Sequence, residues 1–394
     1  MAAFALPEIA LARPPHRHDP SLGGALFRSV EEYSRFSHHH TGTGFDRATT
    51  RWFRNELRRR GGEVAQVPFS FDRYRAIWWT QIGGHHVRSI PVFYEGVGRV
   101  SSSEPFVRRV VAQNSSSTVD LDAAIAEAQA AGAEMAVFAT FGAFPMFGVS
   151  PFGALIAFNR EPELHSGLPV LLVSGELAAA LEAGPVRAHL AAEIVPDHSE
   201  NVIAWFGGGP VDDPFVLTTP LSGWFTAAGE RGTGIAITLE LAAALGERFP
   251  VLVLGTSGHE LENFGVGRFL EEVGVGSARA VMHVGASVAA GVPGPTGDLE
   301  LAPLRLATSR VDFTSSGIGP ALQAAGFILF NIFLGEGQIW NAVLPPGVPL
   351  LSLAGSFPLF HTPEDLPQLA TSPALLESVY VALEQAAILL EAAA

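Results

Sequence analysis

Between Val251 and Glu272 the chain reads VLVLGTSGHELENFGVGRFLEE, and few folds accommodate such a stretch. Val251 to Leu254 form a short, continuous apolar run bounded by Gly255, the pattern of a strand buried on both faces. The loop Thr256-Ser257-Gly258 then presents His259 and Glu260, and a helix follows near Phe264–Glu272. The same alternation surrounds it. Asn201–Phe206, Phe215–Thr218, Ala280–Val284 and Pro349–Leu353 read as strands. Thr233–Leu245 reads as a helix with Ile235, Leu239 and Ala242 on one face. Ser372 caps and Pro373 opens a last helix, whose buried stripe is Leu376, Val379, Leu383 and Leu390. Strands separated by helices imply an α/β fold: a mostly parallel central sheet with helices on both faces.

The N-terminal part prepares that sheet. Residues 1–22 carry four prolines and little periodicity, which predicts an extended arm. A helix is expected around Gly24–Phe36. A second spans roughly Asp46–Arg60, with Trp52, Phe53 and Leu57 on one face and Gly61-Gly62 ending it. Val67, Phe69 and Phe71 alternate as in a half-buried strand. Residues 88–200 differ in character. They hold short apolar runs at Ile90–Phe93, Met135–Ala139 and Leu168–Val173, a serine-rich turn at Ser101–Ser103, and helices near Leu121–Ala131 and Glu176–Glu182. This region reads as an inserted small β-rich domain, with residues 23–87 and 201–394 forming one α/β domain around it. The phenylalanines of FATFGAFPMFGVSPFGALIAF are expected to anchor core and loops rather than line a ligand pocket.

Composition narrows the function. The 394 residues are 48% apolar and 16% charged, as in a well-packed globular protein. Formal net charge is −15, and all 24 basic side chains are arginine. Nucleic acid and anionic membrane are disfavoured as partners, because no polybasic patch exists to displace counterions. Without lysine there is no Schiff base to form. Without cysteine there is no disulfide, thiolate metal site or thiol nucleophile. The first residues lack a basic start and Pro7 interrupts their apolar run, so no signal peptide is expected. No stretch approaches the roughly 20 uninterrupted apolar residues of a spanning helix, and the expectation is a soluble, cytoplasmic protein.

The titratable residues that fall just after expected strands are His259 and Glu260, His283 in AVMHVGAS, and His361 in SFPLFHTPEDL. Two histidines and one carboxylate suffice for a mononuclear metal centre with open positions. Without metal, the same groups could act as a general acid–base cluster, since histidine titrates near neutrality. Each histidine could equally be a satisfied polar residue in a loop. His38-His39-His40 reads as a solvated loop, because adjacent histidines point in different directions. Ser222 in TPLSGW is a nucleophile only where a histidine lies beside it.

The order of segments resembles metallopeptidase family 28, the di-zinc aminopeptidases from which glutaminyl cyclases also derive. The resemblance covers nearly the whole chain from about Leu26. SRFSHHHTGTGFDRATTRWFRNELRRRGGEV looks like the family's leading helices, and residues 88–200 like its protease-associated insert. ENVIAWFGG is similar to the strand that reopens the catalytic domain, and RGTGIAITLELAAAL to the helix after the metal-bridging aspartate. GHELENFGVGRFL resembles the Gly-Glu-Glu-Leu segment, and FHTPEDL the final His-Thr-Pro-Glu-Asp. The ligands depart from the pattern. Where the family has its first histidine and partner aspartate, this chain has Pro220 and Ser222. The bridging aspartate would fall at Gly229, beside Glu230 and Arg231. The general-base glutamate becomes His259 and an aspartate ligand becomes His283, while Glu260 and His361 are retained. What remains cannot hold a bridged pair of zinc ions.

The resemblance therefore implies a divergent enzyme with a rebuilt site at His259, Glu260, His283 and His361. Glu260, His283 and His361 would hold one Zn²⁺ or Fe²⁺ ion, or the set would work metal-free as acid and base. The substrate would be a small molecule or short peptide, neutral or cationic, with an amide, ester or lactam-like group. One alternative is an inactive relative that binds a peptide or small molecule in the old cleft. Another is a conventional zinc aminopeptidase, should Glu230, Asp212 or Asp213 supply the missing carboxylate. A homodimer is compatible with all three.

Overall fold

A computed structural model describes residues 21–113, 117–144, 149–275 and 278–394. The expected arm lies outside these residues except for Ser21, which caps the first helix, and Leu22, which opens it. α1 (Leu22–Tyr33) starts where the Ser21 hydroxyl accepts the Gly24 N–H, and α2 (Gly44–Arg59) where Thr43 accepts from Asp46. Leu26, Val30, Phe53 and Leu57 of these helices enter the main core. β1 (Glu63–Ile82) is far longer than the strand that alternation predicts at Val67–Phe71, and a tight turn leads it into β2 (His85–Val87).

The next segments are β3 (Ser89–Pro91), β4 (Gly98–Ser102), β5 (Phe106–Gln113), α3 (Val119–Ala130), β6 (Ala136–Phe144), β7 (Val149–Gly153), β8 (Val170–Ser174) and α4 (Ala178–Ala183). All these strands but β4 form a separate sheet of order β3-β8-β6-β5, with β7 on β6. Its strands alternate between two apolar layers. Ala136 and Phe138 face α3, whereas Val137 and Ala139 pack with Ile82, Val186 and Leu190. β9 (Val186–Phe206) then returns along β1, in register from Glu63 opposite Trp205 to Ile82 opposite Val186. At about 3.3 Å per residue this ribbon is roughly 65 Å long. β4 pairs with β9 near the ribbon's far end.

The rest of the chain alternates as its periodicity predicts. β10 (Phe215–Pro220), α5 (Thr233–Gly246), β11 (Val251–Thr256), α6 (Phe264–Glu272) and β12 (Ala280–Val284) lead to the small hairpin β13 (Gly291–Pro293) and β14 (Leu299–Leu301). β15 (Leu304–Ser309), α7 (Ile318–Ala324), β16 (Ile328–Phe330), α8 (Glu336–Val343), β17 (Leu350–Ser356), α9 (Pro367–Ala370) and α10 (Pro373–Ala392) complete the chain. The main sheet has the order β16-β15-β17-β12-β10-β11-β9-β1-β2. Its four central strands, β17, β12, β10 and β11, are mutually parallel, and the flanking pairs with β9 and β15 are antiparallel.

Both faces of the centre are covered, which is why its strands are apolar throughout. Val251 and Val253 pack beneath α1, α5 and α10, while Leu252 and Leu254 pack against Val266, Phe269 and Trp340 of α6 and α8. Each such side chain contributes on the order of 1.5–3 kcal/mol by burial. Gly255 continues the strand rather than ending it. A Cβ there would lie 2.6 Å from the Phe53 ring and 2.8 Å from Leu221, so the close approach of α2 requires glycine. α10 is long and apolar enough to cross a bilayer by length and composition. Its stripe of Leu376, Val379, Leu383 and Leu390 is buried against α1, α5 and α7.

Candidate active site

The carboxyl ends of the four parallel strands open on one side of the sheet, where such folds assemble sites. β10 leads into a five-residue π-turn, Ala228–Gly232, which carries Glu230 and Arg231. β11 leads to His259 and Glu260, β12 delivers His283, and β17 leads to His361. Asp365, four residues beyond His361, ties two of these segments together. Its carboxylate accepts the N–H groups of Gly229 (2.6 Å) and Glu230 (3.0 Å) and so fixes the start of the π-turn.

Two linked clusters result. In the first, His361 Nε2 stands 3.2 Å from Glu230 Oε1, and Arg231 Nη2 stands 2.8 Å from the same oxygen. Both contacts lie within ion-pair distance. Both Glu230 oxygens and all three guanidinium nitrogens lack a hydrogen-bond partner among the described residues, although both side chains are at most 1% exposed. His361 is held from the inserted segment: its Nδ1 is 3.0 Å from the Ala157 carbonyl, and its own carbonyl accepts the Ala157 N–H. In the second cluster Glu336 lies between two histidines. Its Oε1 accepts the Thr256 hydroxyl (2.7 Å) and is 3.9 Å from His259 Nδ1, and its Oε2 is 3.7 Å from His283 Nε2. Ser352 holds the other ring nitrogen of His283 at 3.0 Å. Gly337 makes room for that hydroxyl, since a Cβ there would come within 2.0 Å of it.

Burial sets the protonation of these groups. It pushes Glu336 up to about 7 against the Thr256 hydrogen bond and the Arg231 charge, which oppose it. It lowers His283 to about 3 and His259 well below the ordinary imidazole range, with the Arg231 charge adding to both. Burial would raise Glu230, but the neighbouring His361 and Arg231 charges outweigh it and hold the carboxyl below its usual range. Asp365 is raised to about 8 by burial. Together these are neutral imidazoles, a carboxyl balanced near neutrality, and a fixed guanidinium within electrostatic reach of all of them.

His259 and His283 thus meet at Glu336 and His361 stands in the neighbouring Glu230–Arg231 cluster, whereas Glu260 turns aside. Its Oε1 accepts the Thr41 N–H and lies 3.7 Å from His40 Nδ1. Glu260, His283 and His361 are therefore not brought together as a metal triad. Among the described residues, no three His, Asp or Glu side chains are arranged to hold a metal ion. A Zn²⁺ or Fe²⁺ ion does not fit this donor set, because Glu260 faces the N-terminal loop and the guanidinium of Arg231 is the cation beside Glu230 and His361. The three-histidine loop also departs from expectation. His39 and His40 are buried, and His39 stacks on Tyr33 at 3.8 Å and contacts Thr49 and the Thr226 carbonyl. Ser222 meets the backbone N–H of His259 (2.9 Å), not an imidazole nitrogen. Asp212 and Asp213 lie in an exposed turn.

Glu336 carries no sequence signal beyond being a carboxylate set between the glycines of LGEGQIW. Arg231 stands out in the sequence only as a neighbour of the expected bridging position.

Neither a protein-family model nor the sequence of a curated protein matches the chain. Solved structures do. The chain is similar to the zinc aminopeptidase BSAP from Bacillus subtilis, with 14% identity, 95% of each chain covered and a TM-score of 0.67. A Peptidase M28 precursor from Shewanella amazonensis aligns at 16% identity over 95% of this chain and 94% of that one, with a TM-score of 0.66. The aminopeptidase from Aneurinibacillus sp. strain AM-1 aligns at 15% identity over 94% and 93%, with a TM-score of 0.60. At these identities the likeness is one of fold: the protein has the zinc-aminopeptidase-like α/β architecture.

Proposed function

We propose that this protein is a hydrolase-like enzyme of the aminopeptidase fold whose centre works without a metal ion, on a small amide, ester or lactam-like substrate. The observation that carries this reading is the buried guanidinium of Arg231, whose three nitrogens lack hydrogen-bond partners among the described residues, within electrostatic reach of Glu336 with its free Oε2. In this reading, the guanidinium receives the carbonyl oxygen as negative charge develops on it. Glu336 takes a proton from the attacking water and returns it to the leaving nitrogen or oxygen. The Glu230–His361 pair keeps Arg231 in position. His259 has the most solvent-accessible side chain of the cluster, at 13%, and stands at its outer edge.

The test is turnover of a panel of small amides, esters and lactams by protein treated with a strong chelator. Activity should survive the chelator. It should fall about 100-fold or more in Glu336→Gln and by a similar factor in Arg231→Met. Activity that disappears with chelator and returns with zinc would restore the conventional peptidase reading. The near-complete burial of the cluster favours a second reading, a silent relative that only binds its ligand. Absence of turnover across the panel would select it.

A further inference from the structure

A cavity of about 920 Å³ lies against the ribbon, and none of Glu230, Arg231, His259, His283, Glu336 or His361 lines it. Its volume is that of a small-molecule site. The walls are aromatic, with Trp78, Phe93 and Trp224 among them, and Phe93 and Trp224 pack 5.2 Å apart. His40 belongs to the same wall. It stacks on Phe93 at 4.4 Å and meets Trp224 edge-on at 5.0 Å. It is 5% exposed, and its Nε2 has no hydrogen-bond partner among the described residues.

The charge of this cavity opposes that of the chain. The protein has 39 acidic and 24 basic side chains, yet the lining holds four arginines against one carboxylate, Glu193. Arg73 is engaged by Asp197 and by the Gly42 carbonyl, both at 2.7 Å, and Arg75 by Glu193 at 3.4 Å. Arg88 is less committed. It is 3.9 Å from Glu364 and lies 5.8 Å above the Phe225 ring, so its guanidinium already forms part of an aromatic wall. Arg99 is exposed and has no partner among the described residues. An aromatic box with an unpaired polar nitrogen in its wall and two available guanidinium groups recognises a flat apolar body with a negative end.

We propose that this cavity is a binding site for a small aromatic carboxylate, its ring seated against Trp78, Phe93 and Trp224 and its carboxylate met by Arg88 and Arg99. The neutral or cationic substrate expected from net charge alone does not suit this surface. None of the acid–base residues lines this site, and its test needs no turnover.

The probes are 1-naphthoate and its uncharged analogue 1-naphthamide, titrated calorimetrically into the full-length protein. Naphthoate should bind saturably at one site, and naphthamide at least about tenfold more weakly, the difference expected for charge-assisted hydrogen bonds. The double variant Arg88→Met/Arg99→Met alters two exposed side chains. It should bring naphthoate down to the affinity of naphthamide and leave naphthamide binding unchanged, which also reports an intact fold. No saturable binding of naphthoate overturns the proposal, as does equal affinity for the two probes or unchanged naphthoate affinity in the double variant.

Discussion

Replacing Arg231 by methionine removes the one arginine that, among the described residues, lies within ion-pair range of Glu230, in a place where both partners are at most 1% exposed. Breaking a buried pair from one side costs about 3–5 kcal/mol, because the remaining charge stays desolvated. Glu230→Gln should cost a similar amount, since it leaves the guanidinium buried without its anion. The double variant Arg231→Met/Glu230→Gln removes both charges and replaces them with side chains of comparable volume. Replacements of that kind are often nearly neutral, so it should cost no more than about 1–2 kcal/mol. The coupling between the sites should therefore exceed about 2 kcal/mol in favour of the double variant. Equilibrium urea unfolding of the four proteins reads it directly. The experiment belongs near pH 7. Glu230 is a depressed carboxyl, so its contribution is present above the ordinary carboxylate range and is lost as pH falls through the folded value. A single variant within about 1 kcal/mol of the parent, or a double variant no better than the worse single, would refute the reasoning. Arg231 would then be solvated in the cluster rather than held by its ion pair.

Other consequences follow from the same geometry. Gly255→Ala should cost about 1–3 kcal/mol by thermal or urea unfolding, because its Cβ would meet the Phe53 ring at 2.6 Å inside a packed core. Burial raises Asp365 to about 8 and Asp46 to about 7, so the folded protein keeps protons that the unfolded chain releases near pH 4. Stability should accordingly fall as pH rises from about 4, by up to about 1.4 kcal/mol per unit for each group, and level off near 7 for Asp46 and near 8 for Asp365. Asp365→Asn should flatten the urea midpoint over that window, and an unchanged slope would count against the assignment. Thr256→Val removes the hydrogen bond that lowers Glu336. The rising acid limb of the pH–rate profile should then move to higher pH than in the parent, whose limb is set by Glu336 at about 7.

Much of the sheet could be read from the chain because its centre is buried on both faces. Ala280–Val284, Phe264–Glu272 and the last helix fall where periodicity and capping put them. The ribbon could not be read in this way. Its outer half is two-sided, with Ile77 exposed while Trp78 packs onto the inserted sheet, so β1 shows no clean alternation beyond Phe71. In the site, the histidines at strand ends were legible, but their partners were not. The π-turn widens the backbone by one residue and displaces the phase. Gly229, the position that the resemblance assigned to a bridging carboxylate, faces Phe357 and Ala370, while Glu230 points to His361. Glu336 sits on a short helix inserted between two strands, and what brings it to His259 and His283 is tertiary packing rather than local sequence.

The shared ribbon bears on modularity. Ile82 and Val186 stand opposite each other, with the Gly83 N–H bonded to the Pro185 carbonyl, so everything between them could be cut away and closed with a hairpin turn without disturbing the register. That excision would also take Ala157, and with it the backbone clamp on His361. In topology the inserted sheet is a detachable attachment. In chemistry it is a structural component of the centre, and the two halves of this protein are free to diverge only together.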